Sequence, residues 1–156
     1  MEIERKFLVN NPPDNLEDCE KIEISQAYVS TVPTIRVRQS GEEFFLTVKS
    51  QPQAGKYGVE EFEMELSHTE YETLLAKTED TILTKTRYKI PLCGRLTAEL
   101  DIYHGPLNGL LTVEVEFDTE EEAQSFEPPP WFGEEISFDY RYRNSQLSKN
   151  GIPGKS

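Results

Sequence analysis

Cysteine is nearly absent from this chain. Cys19 and Cys93 are the only two in 156 residues, and nothing about their placement has a metal-binding spacing. That argues against a disulfide scaffold and for a reducing compartment, the cytoplasm. Long apolar runs are missing too. None approaches the roughly 20 residues of a membrane span, and the opening residues are charged where a signal peptide needs its apolar region. Cationic surplus is the third absence: 16 Lys and Arg face 29 Asp and Glu, for a net charge of -13. A general basic surface for nucleic acid is therefore excluded, and any local gathering of Lys and Arg gains meaning, because the average field repels anions. Histidine is scarce as well. His68 stands beside a helix start and His104 near a turn, neither with a partner at metal spacing, so both read as structural.

What is present is alternation. The length suits one domain spanning 1–156, with the tail 151–156 outside its core. Its "GIPGKS" holds a fragment of a phosphate-loop motif, but the first glycine is misplaced and no helix can follow. Eight strands are predicted near 1–9, 22–30, 34–40, 43–51, 57–66, 81–91, 95–104 and 111–118. "SGEE" at 40–43 and "CGR" at 93–95 read as turns, and "QPQAGKYG" at 51–58 as a longer loop. Ser67 with Glu70 and Thr119 with Glu122 have capping-box spacing, so helices are expected over "YETLLAK" and "EEEAQSF", the second stopped by "EPPPWFG". A third helix is expected after Asp139, running to Gly151.

Side chains alternate across a strand. In "MEIERKFLV" this puts Glu2, Glu4 and Lys6 on one face, with Ile3, Arg5 and Phe7 on the other. The later strands repeat the pattern. Arg36 and Arg38 lie opposite Ile35 and Val37, and Thr47 and Lys49 opposite Leu46 and Val48. Glu61, Glu63 and Glu65 lie opposite Phe62, Met64 and Leu66. Lys85 and Arg87 share a face, as do Glu99 and Asp101, and Glu114 and Glu116 lie opposite Val113, Val115 and Phe117. Two architectures fit. One is an antiparallel sheet with its charged face in water. The other is a sheet closed on itself with the charges inside, since eight strands can close around a small ligand. Composition favours closure, because the sign of charge is sorted by strand and solvent asks for no such sorting. A polyanion bound with a divalent cation does: guanidinium and ammonium groups for phosphate oxygens, carboxylates for the metal.

The same residues carry a family likeness. "EIERK" resembles the ExExK motif of the CYTH superfamily, the triphosphate tunnel metalloenzymes. "IRVR", "LTVKS", "EEFEMEL", "KTRYKI", "AELDIY", "VEVEF" and "PPPWFGEEIS" follow in the family's order. The chain most resembles the compact bacterial inorganic triphosphatases. The likeness implies a mainly β (α+β) fold, an eight-stranded antiparallel closed tunnel with a charged interior and a few flanking helices. It implies Mg²⁺ or Mn²⁺ as cofactor and a small-molecule triphosphate as substrate. By resemblance, Glu2, Glu4, Glu114 and Glu116 hold metal. Lys6, Arg36, Arg38, Lys49, Lys85 and Arg87 bind phosphate, and Tyr28 works with Lys85 in catalysis.

Tyr28 then orients or deprotonates water, or a neutral Lys85 is the base; a plain wall residue is the bland reading of Tyr28. Glu61, Glu63, Glu99 and Asp101 are expected to pair with the basic residues, since unpaired charges in a confined site cost several kcal/mol each. Trp131 and Phe132 read as a lid over the helices. Arg141 and Arg143 are read as either tunnel-mouth or helix-surface residues. A homodimer through the apolar outer face is left open. The rival enzyme is an adenylate cyclase, or a thiamine or nucleoside triphosphatase, of the same superfamily; a cyclase needs a place for adenine that no motif supplies. A non-catalytic polyphosphate-binding module is the rival outside enzymes, and the complete acidic set argues against it.

Overall fold

In the computed structural model, which describes residues 1–78 and 81–154, the alternation closes into a barrel. Its strands are β1 (Glu2–Val9), β2 (Glu20–Thr31), β3 (Thr34–Ser40), β4 (Glu43–Lys49), β5 (Gly58–Val59), β6 (Glu61–Leu66), β7 (Leu83–Pro91), β8 (Thr97–Tyr103), β9 (Leu111–Phe117) and β10 (Phe132–Glu135). Three helices accompany them: α1 (His68–Leu75), α2 (Glu120–Ser125) and α3 (Asn144–Asn150). The wall runs β10-β1-β9-β8-β7-β2-β3-β4-β6, antiparallel in every registered pair. β5 closes it by pairing back onto β1, Glu2 opposite Val59 and Ile3 opposite Gly58.

The expected strand 57–66 is therefore one strand broken at Glu60. There Ser50 and Glu60 exchange hydrogen bonds, Ser50 N to Glu60 O at 3.0 Å and Glu60 N to Ser50 Oγ at 3.0 Å. Beyond this point the chain leaves β4 for β1. Counting β5 and β6 together, the wall has nine strands where eight were expected. The addition is β10, a four-residue strand following a proline run, too short to stand out in a periodicity search.

The outward face of the wall is the apolar one. Ile3, Phe7, Val9, Ala98, Leu100, Val113, Val115 and Phe117 pack with Ala123 of α2 and Phe132 of β10. Phe132 is thus core rather than lid, and Trp131 meets its ring edge-on at 4.5 Å. Ala27, Val37 and Leu66 pack under Tyr71 of α1. Ser67 starts α1 with the full reciprocal capping box. At α2 only half of the expected box forms: Thr119 Oγ accepts from Glu122 N at 3.1 Å. The third helix begins later than expected. Tyr140–Tyr142 form a tight 3-10 turn, Arg143 is extended at φ -66° and ψ 141°, and α3 starts only at Asn144. Leu147 of α3 packs instead on inner-face residues, Leu83 opposite Gln26 and Tyr103 opposite Lys85, together with Leu107 and Leu110. Ile152 joins them, so this part of the tail meets the core it was expected to lie outside. Lys155 and Ser156, the end of the tail, lie outside the described residues. The outer face is not covered everywhere: Phe62 and Met64 on β6 are 58% and 42% exposed.

Candidate active site

Register decides what faces inward. Opposite partners in an antiparallel ladder share a face. Lys6 lies opposite Glu114, Glu4 opposite Glu116, Tyr28 opposite Arg36, Arg36 opposite Thr47, Lys49 opposite Glu61, and Arg87 opposite Asp101. These pairings set Glu4, Lys6, Tyr28, Arg36, Lys49, Glu61, Arg87, Asp101, Glu114 and Glu116 on shared faces of neighbouring strands.

The interior then divides. A cavity of about 510 Å³ is lined by Glu2, Glu4, Lys6, Tyr28, Arg36, Lys49 and Glu114, with residues of 50–57 and 136–145 around it. Arg143 is among the latter. Arg141 is turned to the surface, bonded to Asp139 at 2.6 Å. Lys49 Nζ sits 2.7 Å from Glu2 Oε1. Lys6 Nζ donates to Tyr142 O at 2.8 Å and lies 3.9 Å from Glu114 Oε1. Arg36 donates to Thr47 Oγ1 at 3.1 Å, while its buried Nε has no partner among the described residues.

Arg38, Lys85 and Arg87 are not among the cavity-lining residues and are held by the protein itself. Arg87 grips Asp101 with two bonds of 2.8 and 3.0 Å and reaches Glu99 at 3.5 Å. Lys85 Nζ stands 2.8 Å from the same Asp101, at ion-pair distance but outside hydrogen-bond geometry. Arg38 Nε donates to Gln26 Oε1 at 2.9 Å. Glu63 serves the open side, accepting from Thr47 at 3.1 Å and lying 4.0 Å from Arg36. Glu116 and Glu61 lie nearer the rim, where burial and repulsion from Glu2 raise both carboxyls.

Burial and crowding set the proton positions. Glu4 is pushed well up by burial, then by Glu114 and Glu2. Burial alone would raise Glu114, but Lys6, Arg87 and Lys85 outweigh it and hold that carboxyl low. Burial pulls Lys85 down to about 7; Asp101 opposes this, while Arg87 and Arg38 add to it. Arg38 falls to about 10 through burial and its neighbours Arg36 and Arg87.

The donor set fits a hard divalent cation. Three carboxylates, Glu2, Glu4 and Glu114, border one cavity, and their mutual repulsion is what such a cation would relieve. As placed, no three His, Cys, Asp or Glu side chains converge as a metal cluster among the described residues.

The chain matches the CYTH domain over residues 1–150. The chain belongs to the CYTH family. Its relatives include the inorganic triphosphatase of Nitrosomonas europaea, 43% identical over 94% of this chain and 96% of that protein. Another is the inorganic triphosphatase of Acetivibrio thermocellus, 32% identical over 96% of this chain and 94% of that protein. The crystal structure of the inorganic triphosphatase NE1496 superposes with a TM-score of 0.70 at 41% identity, covering 99% of this chain and 97% of that one. In this CYTH chain no hydrogen bond joins Tyr28 to Lys85 among the described residues; Tyr28 Oη instead accepts from Gln26 Nε2 at 2.8 Å. Gln26 escaped the sequence reading. A neutral amide in "ISQAY" carries no charge to count, and only its parity with Tyr28 could have found it.

Proposed function

We propose that this CYTH protein hydrolyses inorganic triphosphate to pyrophosphate and phosphate, with Mg²⁺ or Mn²⁺ held by Glu2, Glu4, Glu114 and Glu116. One observation carries the reading: a single cavity is lined by Lys6, Arg36 and Lys49 together with Glu2, Glu4 and Glu114. Cations alone suit a bound anion. Carboxylates crowded beside them suit an anion that arrives with a metal.

Phosphoryl transfer leaves a protein mainly positioning and charge neutralisation to supply. Lys6, Arg36 and Lys49 receive phosphate oxygens directly. Arg38, Lys85 and Arg87 form a second bank beside them, kept in place by Gln26 and Asp101. The bound cation supplies charge neutralisation and a lowered water pKa. Lys85, buried 2.8 Å from Asp101 and off the cavity wall, contributes ammonium charge to the second bank rather than a base in contact with water. Tyr28 reaches the cavity separately and hydrogen-bonds substrate or water. Glu61, Glu63, Glu99 and Asp101 keep the basic residues from repelling one another. The substrate is a small polyanion. The protein works in the cytoplasm, in keeping with its two free cysteines; no helix is long and apolar enough to cross a membrane among the described residues.

The test is phosphate release from triphosphate, ATP and thiamine triphosphate with Mg²⁺ or Mn²⁺, beside a cyclic AMP assay. Triphosphate is expected to be the best substrate, with ATP cleaved weakly and no cyclic AMP formed. Cyclic AMP at rates matching triphosphate hydrolysis overturns the assignment. Tyr28→Phe is expected to lower the rate more than the binding.

A further inference from the structure

Gln26 is fully buried inside the barrel, at 0% exposure, yet it carries no charge and touches no acid. Its amide joins two groups of the site. Oε1 accepts from Arg38 Nε at 2.9 Å, and Nε2 donates to Tyr28 Oη at 2.8 Å. Chemistry fixes which end faces which partner. A guanidinium only donates, so the carbonyl end must meet Arg38. The amino end must then meet Tyr28, whose oxygen is thereby the acceptor. A phenol has one proton, and it is not used on Gln26. Tyr28 lines the cavity with 5% of its surface exposed, so that proton is free to be aimed there.

We propose that Gln26 is a positioning residue that sets the polarity of Tyr28. Locked by Arg38, it makes the Tyr28 hydroxyl a hydrogen-bond donor toward the cavity, to a phosphate oxygen or to the water that attacks it. This rests on the triphosphatase reading of the cavity and extends it to a residue outside the charged set. It also ties two groups that the alternation pattern treats as separate: a guanidinium of the phosphate bank and a phenol of the wall act through one amide.

Gln26→Glu separates the two arms. It keeps size and the bond to Arg38, but a carboxylate cannot donate to Tyr28, so the phenol must donate to it and turn its proton away from the cavity. Gln26→Met removes both bonds. Each variant is expected to lower kcat for triphosphate at least tenfold, with Gln26→Glu also raising KM by repelling phosphate. Combined with Tyr28→Phe, Gln26→Glu is expected to lower kcat no more than about threefold beyond the worse single variant, because both act through one hydroxyl. Fully multiplicative effects, wild-type kcat in Gln26→Glu, or wild-type kcat in Tyr28→Phe overturns the proposal. A second readout does not depend on turnover. In ¹³Cζ-tyrosine-labelled, ligand-free protein, the Tyr28 signal, assigned by its loss in Tyr28→Phe, is expected to shift in Gln26→Glu. An unmoved signal overturns the hydrogen bond itself. A moved signal in a wild-type protein that releases no phosphate overturns the triphosphatase reading and leaves the Gln26–Tyr28 link standing. Circular dichroism accompanies each variant, and if Gln26→Met fails to fold, the near-isosteric Gln26→Glu decides alone.

Discussion

The two banks of cations inside the barrel differ in what holds them. Lys6, Arg36 and Lys49 border an open cavity, and the buried Nε of Arg36 has no partner among the described residues. Arg38, Lys85 and Arg87 are packed onto Gln26 and Asp101. The open bank meets carboxylates that border the same cavity, Glu2 beside Lys49 and Glu114 beside Lys6. The closed bank is tied off inside the protein, Lys85 and Arg87 to Asp101 and Arg38 to the neutral Gln26. The contrast shows how a barrel can concentrate positive charge within a molecule of net charge -13 and stay folded when empty. Internal carboxylates and neutral acceptors hold the cations at rest, and those of the open bank stand where an incoming anion can reach them.

Removing the metal should have the largest effect. Excess chelator is expected to abolish phosphate release, and Mg²⁺ or Mn²⁺ to restore it, because Glu2, Glu4 and Glu114 otherwise repel the substrate. Full activity in chelator would sink the metal assignment. Next comes Asp101→Ala, which strips the closed bank of its anion. Breaking a buried pair from one side costs about 3–5 kcal/mol, read as a lower urea midpoint. Lys85 can shed its proton near pH 7, so the loss should be smaller at pH 8.5 than at pH 6. An equal loss at both pH values would show that Lys85 does not share this anion.

Arg36→Ala attacks the open bank instead. Turnover should fall by 10²–10³, about 3–4 kcal/mol of transition-state stabilisation, while the melting temperature moves little. A large fall in melting temperature with unchanged turnover would reverse the roles of the two banks. A pH effect follows from Lys85. Its folded pKa of about 7 lies below the unfolded value of 10.5. The unfolded chain therefore binds more protons between those values, and the Lys85 contribution makes stability rise with pH across that window. A phosphate anion favours the ammonium form, so triphosphate binding at pH 8 should take up a proton. Calorimetry in buffers of different ionisation enthalpy measures this, and the uptake should vanish in Lys85→Met. At the small end, Phe62→Ser on the exposed outer face should change stability by no more than about 0.5 kcal/mol. A larger loss would mean that this side chain is packed in solution.

The inner face was legible because charge alternation is written locally: Glu2, Glu4 and Lys6 declare one side of β1 with no knowledge of its neighbours. The division into banks was not legible. It depends on which carboxylate reaches which cation across strands, and Asp101 and Glu114 look alike in the sequence while one locks cations and the other borders the cavity. β10 was hidden by its brevity. The late start of α3 was hidden because an extended Arg143 leaves no composition mark. Gln26 was hidden by neutrality.

The closure at β5 has a mechanical consequence. β1 is bound to β9 through six registered pairs but to β5 through two. A cylinder with one short clasp is stiff around most of its circumference and compliant along a single line. That line runs beside Glu2, which lies opposite Val59 in the clasp, and beside the loop 51–57 at the cavity. Compliance is thus placed where a bulky, hydrated polyanion needs room to pass, and rigidity where the charges must keep their spacing. Amide exchange should register the asymmetry, with Val59 opening well before the β1–β9 ladder.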